Sequence, residues 1–361
     1  MSRSRNGLSV TILLALIVAM LFFLNLEKIA APQVAAPDNV VFDRTTNTVQ
    51  LSSLTLRQKI AQMIVTYGDE NDADVFKKML IGGVYFGAKP SESDYIASVN
   101  RFQDGAVVPF FTTVDLEGCS NPFENFQNFP SFKDINTSEE AYGYGYAEGK
   151  FLKETGINVD FSPVVDLKDD IWDCRSFVGT PEEIANKSDS YIYGMQENGV
   201  IATAKHYPGK TLVSRDPHKY IVYEQIDEND LLPFKRTIRS NVSAIMVSHV
   251  IVNGSVSSGS MPSTVSQPLV QGLRNQYGGL IVTDEINMLG LKDYYASKDD
   301  MYVDLFKADN DVILNFDSDP KDLDHMISVV EGAVNRGEIS EQRIDGSVTR
   351  ILNAKGINVA A

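Results

Sequence analysis

Cysteine is nearly absent from this chain of 361 residues, which has only Cys119 and Cys174. That excludes a disulfide scaffold and a zinc site of CxxC spacing. One bridge can form if the domain lies outside the cytoplasm; otherwise the two are small buried thiols. Histidine is also scarce, with four in all and no HxH pair on a strand. The closely spaced ligands of a metal-dependent hydrolase are therefore missing, and neither metal nor cofactor is expected. No GxGxxG follows the first apolar strand, which leaves a dinucleotide fold without support. No GxSxG elbow is present to carry a serine nucleophile. Basic residues are outnumbered, 32 against 48 acidic, for a net charge of −16. Such a surface repels nucleic acid and anionic lipid, and suits a neutral, small substrate.

What is present begins with one long apolar run. Residues 1–6 carry Arg3 and Arg5, and Gly7 to Leu26 is almost wholly apolar. About 20 such residues span a bilayer as a helix, and the basic flank stays cytoplasmic. The rest is then extracytoplasmic, anchored to the membrane by this helix. Cleavage near Ala30–Ala36, where small residues cluster, is the alternative. Residues 27–50 read as a linker rich in Ala, Pro, Asn and Thr. Residues 51–361 show no shift in composition and read as one domain.

Within that domain, short apolar runs alternate with helical periodicity. The expected strands are Ile64–Tyr67, Gly83–Phe86, Pro109–Val114, Val159–Val165, Val200–Ala204, Ala244–Val247, Leu280–Val282 and Asp311–Asn315. The expected helices include Leu54–Ile64, Glu139–Thr155, Glu182–Asn198, Asp227–Ser240 with Asp227 as cap, Gln267–Tyr277, Lys321–Arg336 and Glu341–Lys355. Continuous apolar strands between helices indicate a parallel sheet covered on both faces. Eight such units predict an α/β fold, a single (β/α)8 TIM barrel, with an open doubly wound sheet as the competitor.

Barrel enzymes carry their chemistry where strands end. Reactive residues cluster there: Asp115 and Glu117, Asp166 with Arg175 beyond it, Lys205 and His206, Ser248 and His249, Asp284 and Glu285. Past Pro208-Gly209, Asp216 and His218 sit two residues apart on a polar loop. A carboxylate beside an imidazole fixes its tautomer and suits it to proton transfer near neutral pH. A solvated turn is the bland reading of that pair, and groups satisfying the core are the bland reading of Lys205 and His206.

Taken in order, these segments resemble glycoside hydrolase family 3, most closely its single-domain bacterial β-N-acetylhexosaminidases. The likeness runs from about Leu51 to Lys355. It rests on Lys205-His206-Tyr207-Pro208-Gly209, Asp216-Pro217-His218, Phe161-Ser162-Pro163-Val164-Val165-Asp166, Arg175-Ser176-Phe177, Asp284-Glu285-Ile286-Asn287-Met288 and Arg350-Ile351-Leu352-Asn353-Ala354-Lys355. The resemblance implies that Asp284 is the nucleophile of a retaining double displacement and that His218, oriented by Asp216, is its acid/base. It implies that Asp115, Arg175, Lys205 and His206 hold the sugar. The implied activity is removal of terminal β-linked N-acetylglucosamine from peptidoglycan- or chitin-type oligosaccharides, with carbohydrate as the only ligand. Nothing in the chain demands a partner subunit, so a monomer is expected.

The chain departs from the family in one loop above all. Where the family reads DxEGGRVxR, this chain has Asp115-Leu116-Glu117-Gly118-Cys119-Ser120-Asn121-Pro122-Phe123, without either arginine. Lys210 replaces a histidine of the signature, and Pro217 replaces the serine inside the Asp-His pair. Both cysteines fall in the altered loops, and a Cys119–Cys174 disulfide beside the sugar pocket is expected. Two rivals remain: the same chemistry on another β-sugar such as a β-glucoside, and a catalytically weak, membrane-tethered sugar-binding protein.

Overall fold

A computed structural model describes residues 37–360. The apolar segment 7–26 and its basic flank lie outside the described residues. Among those described, no helix is long and apolar enough to cross a membrane.

Eight parallel strands form one sheet: β1 (Ile64–Tyr67), β2 (Gly83–Tyr85), β3 (Phe111–Val114), β4 (Val159–Asp160), β5 (Ile201–Tyr207), β6 (Ala244–Val247), β7 (Leu280–Thr283) and β8 (Ile313–Leu314). Each pairs with the next in sequence from β1 to β7, and β8 returns to lie beside β1. The gap between β7 and β8 is bridged at Val282–Val312. There the Thr283 N–H donates to Val312 O at 2.9 Å and the Ile286 N–H to Leu314 O at 3.0 Å. The result is a nearly closed eight-stranded parallel barrel, consistent with a TIM barrel. Every residue of β3, β5, β6 and β7 is buried. Burial on both faces is why these strands read as unbroken apolar runs rather than alternating ones.

The outer layer holds α1 (Leu56–Gln62), α2 (Ala73–Met79), α3 (Glu92–Gln103), α4 (Ser138–Glu154), α5 (Pro181–Gln196), α6 (Leu232–Arg239), α7 (Gln267–Arg274), α8 (Lys298–Lys307), α9 (Pro320–Asn335) and α10 (Glu341–Ala354). Thr55, Thr137 and Thr180 open α1, α4 and α5 with reciprocal capping boxes to Gln58, Glu140 and Glu183. Each box satisfies two donors that a helix start leaves free. Three helices, α2, α3 and α8, are not among those expected from the apolar periodicity.

Three expectations are corrected. Asp227 does not cap α6: its N–H bonds the Asp230 carboxylate at 2.8 Å in a preceding turn, and the helix starts at Leu232 with Pro233 in its first turn. The strand expected to reach Val165 ends at Asp160, since Pro163 cannot donate to the ladder, and continues only as bridges from Val164. The stretch 27–50 is not linker throughout. Phe42–Asp43 pairs with Thr48–Gln50, which pairs in turn with Asn358–Ala360, and Val49 is fully buried.

Helices α4 and α5 pack unusually closely. A Cβ on Gly145 would lie 2.1 Å from Tyr191 O, and one on Gly194 would lie 2.5 Å from Tyr142 O. Only glycine permits that approach. Below it Glu148 is completely buried, and its one side-chain partner is the Tyr191 hydroxyl. Burial pushes this carboxyl up to about 8 against the opposing Tyr191 bond. The folded chain therefore keeps a proton that the unfolded chain releases above the ordinary carboxylate range. Stability falls as pH rises from that range toward 8, with a slope of at most about 1.4 kcal/mol per pH unit. Glu148→Gln should flatten this slope. Urea unfolding at pH 5 and pH 7.5 checks it: the variant gains on wild type by roughly 3 kcal/mol across the interval. Parallel pH profiles would refute a protonated Glu148.

Candidate active site

The strand ends open on a cavity of about 480 Å³. Asp115, Arg175, Lys205, His206, His218, Asp284 and both cysteines line it, together with Glu117, Glu285, Trp172 and Pro217. Most residues singled out in the sequence thus converge; Asp216, Asp166, Ser248 and His249 do not line the cavity, and Asp216 stands behind His218. Lys205 and His206 are neighbours on one strand, where side chains ordinarily point to opposite faces. The ladder explains how both reach the cavity. Lys205 pairs with Met246 and Tyr207 with Val247, so His206 is an extra residue in a bulge. A bulge re-aims the side chains it carries.

Charge is dense and almost fully paired on one wall. Glu117 is 2% exposed. Arg175 meets it side-on, Nε to Oε2 at 2.5 Å and Nη2 to Oε1 at 2.7 Å. Lys205 also contacts Glu117, and its Nζ lies 2.6 Å from Asp115 Oδ1. Two cations and two carboxylates therefore share one cluster, buried except for a partly exposed Asp115. Burial pushes Glu117 up, but Arg175 and Lys205 outweigh it and hold its carboxyl well below the usual range. Asp115 goes the other way, raised by burial and by Glu117 against the pull of Lys205.

The loop that carries this wall is fixed from three sides. The Leu116 N–H donates to Asp160 Oδ1 at 2.9 Å, tying the loop to β4. Gly118 turns with φ +70, and a Cβ there would lie 2.4 Å from Pro130 O. Cys119 is bonded to Cys174, a sequence separation of 55. Phe123, at the position of the family's later arginine, is buried away from the cavity, its ring 4.6 Å from Tyr95 and 4.9 Å from Phe151.

Across the cavity the Asp284 N–H bonds Val247 O at 3.0 Å, and Asp284 Oδ1 accepts from the Glu285 N–H at 2.9 Å. Burial raises its carboxyl. The fields of His206, His249 and His218 and the Glu285 amide together outweigh burial and keep it below the ordinary value. His249 serves this segment from behind, its Nε2 2.8 Å from Glu285 O and its Nδ1 2.7 Å from Thr264 Oγ1. His206 Nδ1 lies 3.0 Å from Asp166 Oδ2.

His218 Nδ1 lies 2.7 Å from Asp216 Oδ1, which also accepts the His218 N–H at 3.0 Å. Burial raises the Asp216 carboxyl, but these bonds and Lys219 lower it further, so it stands ionised and Nδ1 must be the donor. Nε2 is thereby directed to exchange a proton with a ligand. The loop is docked at both ends. Asp170 N–H donates to Leu212 O at 3.0 Å, Gly290 N–H to Pro217 O at 2.9 Å, and Leu289 N–H to His218 O at 3.2 Å. Gly290 has no room for a Cβ, which would lie 2.6 Å from Pro217 O.

In the sequence Glu117 stands only as one of the strand-end charges, because nothing there brings it to Arg175, 58 residues away. Removing its charge leaves Arg175 and Lys205 with Asp115 alone. Glu117→Gln should cost about 3 kcal/mol in urea unfolding at pH 7. A depressed carboxyl stabilises above its unfolded pKa and loses that stability as pH falls through its folded value. The deficit of the variant should therefore shrink as the solution is acidified below the ordinary carboxylate range. A cost under about 1 kcal/mol at pH 7 would mean the cluster does not hold the loops together.

A family model described as "Glycosyl hydrolase family 3 N terminal domain" matches residues 55–354. The chain is 25% identical over 358 residues to a "Beta-N-acetylglucosaminidase/beta-glucosidase" of Cellulomonas fimi, covering 91% of this chain and 62% of that relative. It is 26% identical over 332 residues to the "Beta-hexosaminidase LpqI" of Mycobacterium bovis, covering 84% of each. The solved structure of a glycoside hydrolase family 3 beta-N-acetylglucosaminidase from Paenibacillus sp. superposes with a TM-score of 0.77 at 27% identity, over 84% of this chain and 62% of that one. Strand-end chemistry, the barrel and the matched span of some three hundred residues agree, and the chain belongs to glycosyl hydrolase family 3.

Proposed function

We propose that this glycoside hydrolase removes terminal β-linked N-acetylglucosamine from peptidoglycan- or chitin-type oligosaccharides with retention of configuration. The observation that carries the reading is the pairing across one cavity of an ionised, histidine-surrounded Asp284 with a His218 whose tautomer Asp216 fixes. Asp284 attacks the anomeric carbon while His218 gives its Nε2 proton to the departing oxygen, and the sugar becomes an ester of Asp284. His218, now neutral, takes a proton from water, and the oxygen of that water displaces Asp284 at the same carbon. Asp115, Arg175, Lys205 and His206 hold the sugar through charged hydrogen bonds that tighten as positive charge develops on the ring. The acetamido preference follows the names of relatives described as a hexosaminidase or an N-acetylglucosaminidase, while the Cellulomonas fimi relative is named for both activities.

A second acceptor deserves a test. An imidazole repels an incoming anion less than the second carboxylate most retaining glycosidases use, which favours inorganic phosphate as an acceptor beside water. The domain is proposed to lie outside the cytoplasm, anchored by residues 7–26. The Cys119–Cys174 bond supports this, since such bonds persist in oxidising compartments.

Aryl β-glycosides test the reading directly. The N-acetylglucosaminide should be hydrolysed faster than the glucoside. Asp284→Asn should lower turnover by about 10³-fold or more, and His218→Ala by about 10²-fold. A preference for the glucoside would overturn the acetamido assignment. No turnover of any sugar by wild type, with sugar binding intact, would favour the tethered binding protein. Absence of N-acetylglucosamine 1-phosphate when the reaction is run in phosphate would remove the second acceptor.

A further inference from the structure

Trp172 is the only tryptophan of the chain, and it is 52% exposed. Its place is the cavity mouth, on the loop between β4 and α5. The indole stands edge-on to the His218 ring, with centroids 6.4 Å apart at 66°. The Arg175 guanidinium carbon lies over one face of the ring, 5.9 Å from its centroid, which leaves the other face for a ligand.

The backbone under this exposed ring is held firmly. Asp169 Oδ1 accepts the Trp172 N–H at 2.9 Å, and Asp169 Oδ2 accepts the Arg175 N–H at 2.9 Å. Asp169 O takes the Asp173 N–H at 3.0 Å. Two residues on, Cys174 is bonded to Cys119. A bridge from Asp169 to Leu212 ties the same loop to the segment leading to His218. A ring in water on a fixed backbone is a preorganised surface, which binds without first being ordered.

We propose that Trp172 is the stacking platform for the leaving sugar and makes the enzyme select substrates whose leaving group is itself a pyranose ring. This rests on the proposed reading, in which His218 protonates the departing oxygen. The residue attached to that oxygen must then lie beside His218, where the indole stands. One face of a β-linked pyranose presents axial C–H groups, and such a face packs on an aromatic ring. Trp172 touches the part of the substrate that leaves, not the sugar that becomes bonded to Asp284.

The test compares two substrates of the full-length chain, the β-1,4-linked N-acetylglucosamine disaccharide and N-acetylglucosaminyl fluoride, whose leaving group is too small to reach the indole. Trp172→Ala should lower the ratio of kcat/KM for disaccharide over fluoride about ten-fold or more. Trp172→Phe should restore most of the ratio. As a second readout, the disaccharide should shift the emission of this single tryptophan to the blue, saturably, in an Asp284→Asn background. An unchanged ratio, an equal loss on both substrates, or saturable disaccharide binding without a change in emission would each overturn the proposal. If wild type turns over neither substrate, the underlying reading fails and takes the proposal with it. If it turns over both and the ratio does not respond, the proposal alone fails.

Discussion

The site depends on one buried carboxylate. Glu117 lies between Arg175 and Lys205, so it joins the loops after β3 and β4 to the end of β5. Removing four charged groups from water is expensive, and the cluster is tolerable only because it is close to neutral and multiply bonded. Its return is geometric rather than stabilising. Three separate backbone segments must meet at fixed distances or leave a charge unpaired. The Cys119–Cys174 bond joins two of those same segments covalently. Closing a loop of that length also restricts the unfolded chain, by about 4 kcal/mol in the entropic account.

The same economy of constraint governs the proposed acid/base. Asp216 and His218 sit on a loop that leaves the barrel after Pro208, yet it is not free. One side is joined to the β4 loop through Asp170 and Leu212, the other to the segment following Asp284 through Gly290 and Pro217. The residue proposed to supply the proton is thus hydrogen-bonded, through a few peptide groups, to the segment that carries the proposed nucleophile. Gly290 matters here as an absence of volume, since any side chain would separate the two at Pro217 O.

How much of this the sequence reveals varies with the range of the interaction. Strand positions are legible because burial on both faces writes unbroken apolar runs, and all eight barrel strands fall within or against the expected ones. Strand-end chemistry is legible because a barrel collects it at one rim. Apart from the Cys119–Cys174 bond and the Asp216–His218 pair, contacts set by the loops are not. The partnership of Glu117 with Arg175 depends on how two loops fold over one another. The bulge at His206 depends on a register that no local pattern encodes. Trp172 sits in a polar stretch, Asp169 to Asp173, that reads as ordinary loop; only its aim toward His218 distinguishes it. The small sheet that includes Thr48–Gln50 was hidden for the opposite reason, since its partner strand lies some three hundred residues away.

Electrostatics then separates the roles of the carboxylates. Four stand around the cavity: Asp115, Glu117, Asp284 and Glu285. Lysine and arginine are spent on the first two, and none forms an ion pair with Asp284 among the described residues. Asp284 is kept ionised by imidazoles and a backbone amide instead. A carboxylate locked to a guanidinium is a poor nucleophile, because the ion pair must break before it can attack. One surrounded by weaker donors is charged and still available. Glu117 therefore contributes to the proposed chemistry without touching the reacting bond: by engaging Arg175 and Lys205 it keeps both cations off Asp284.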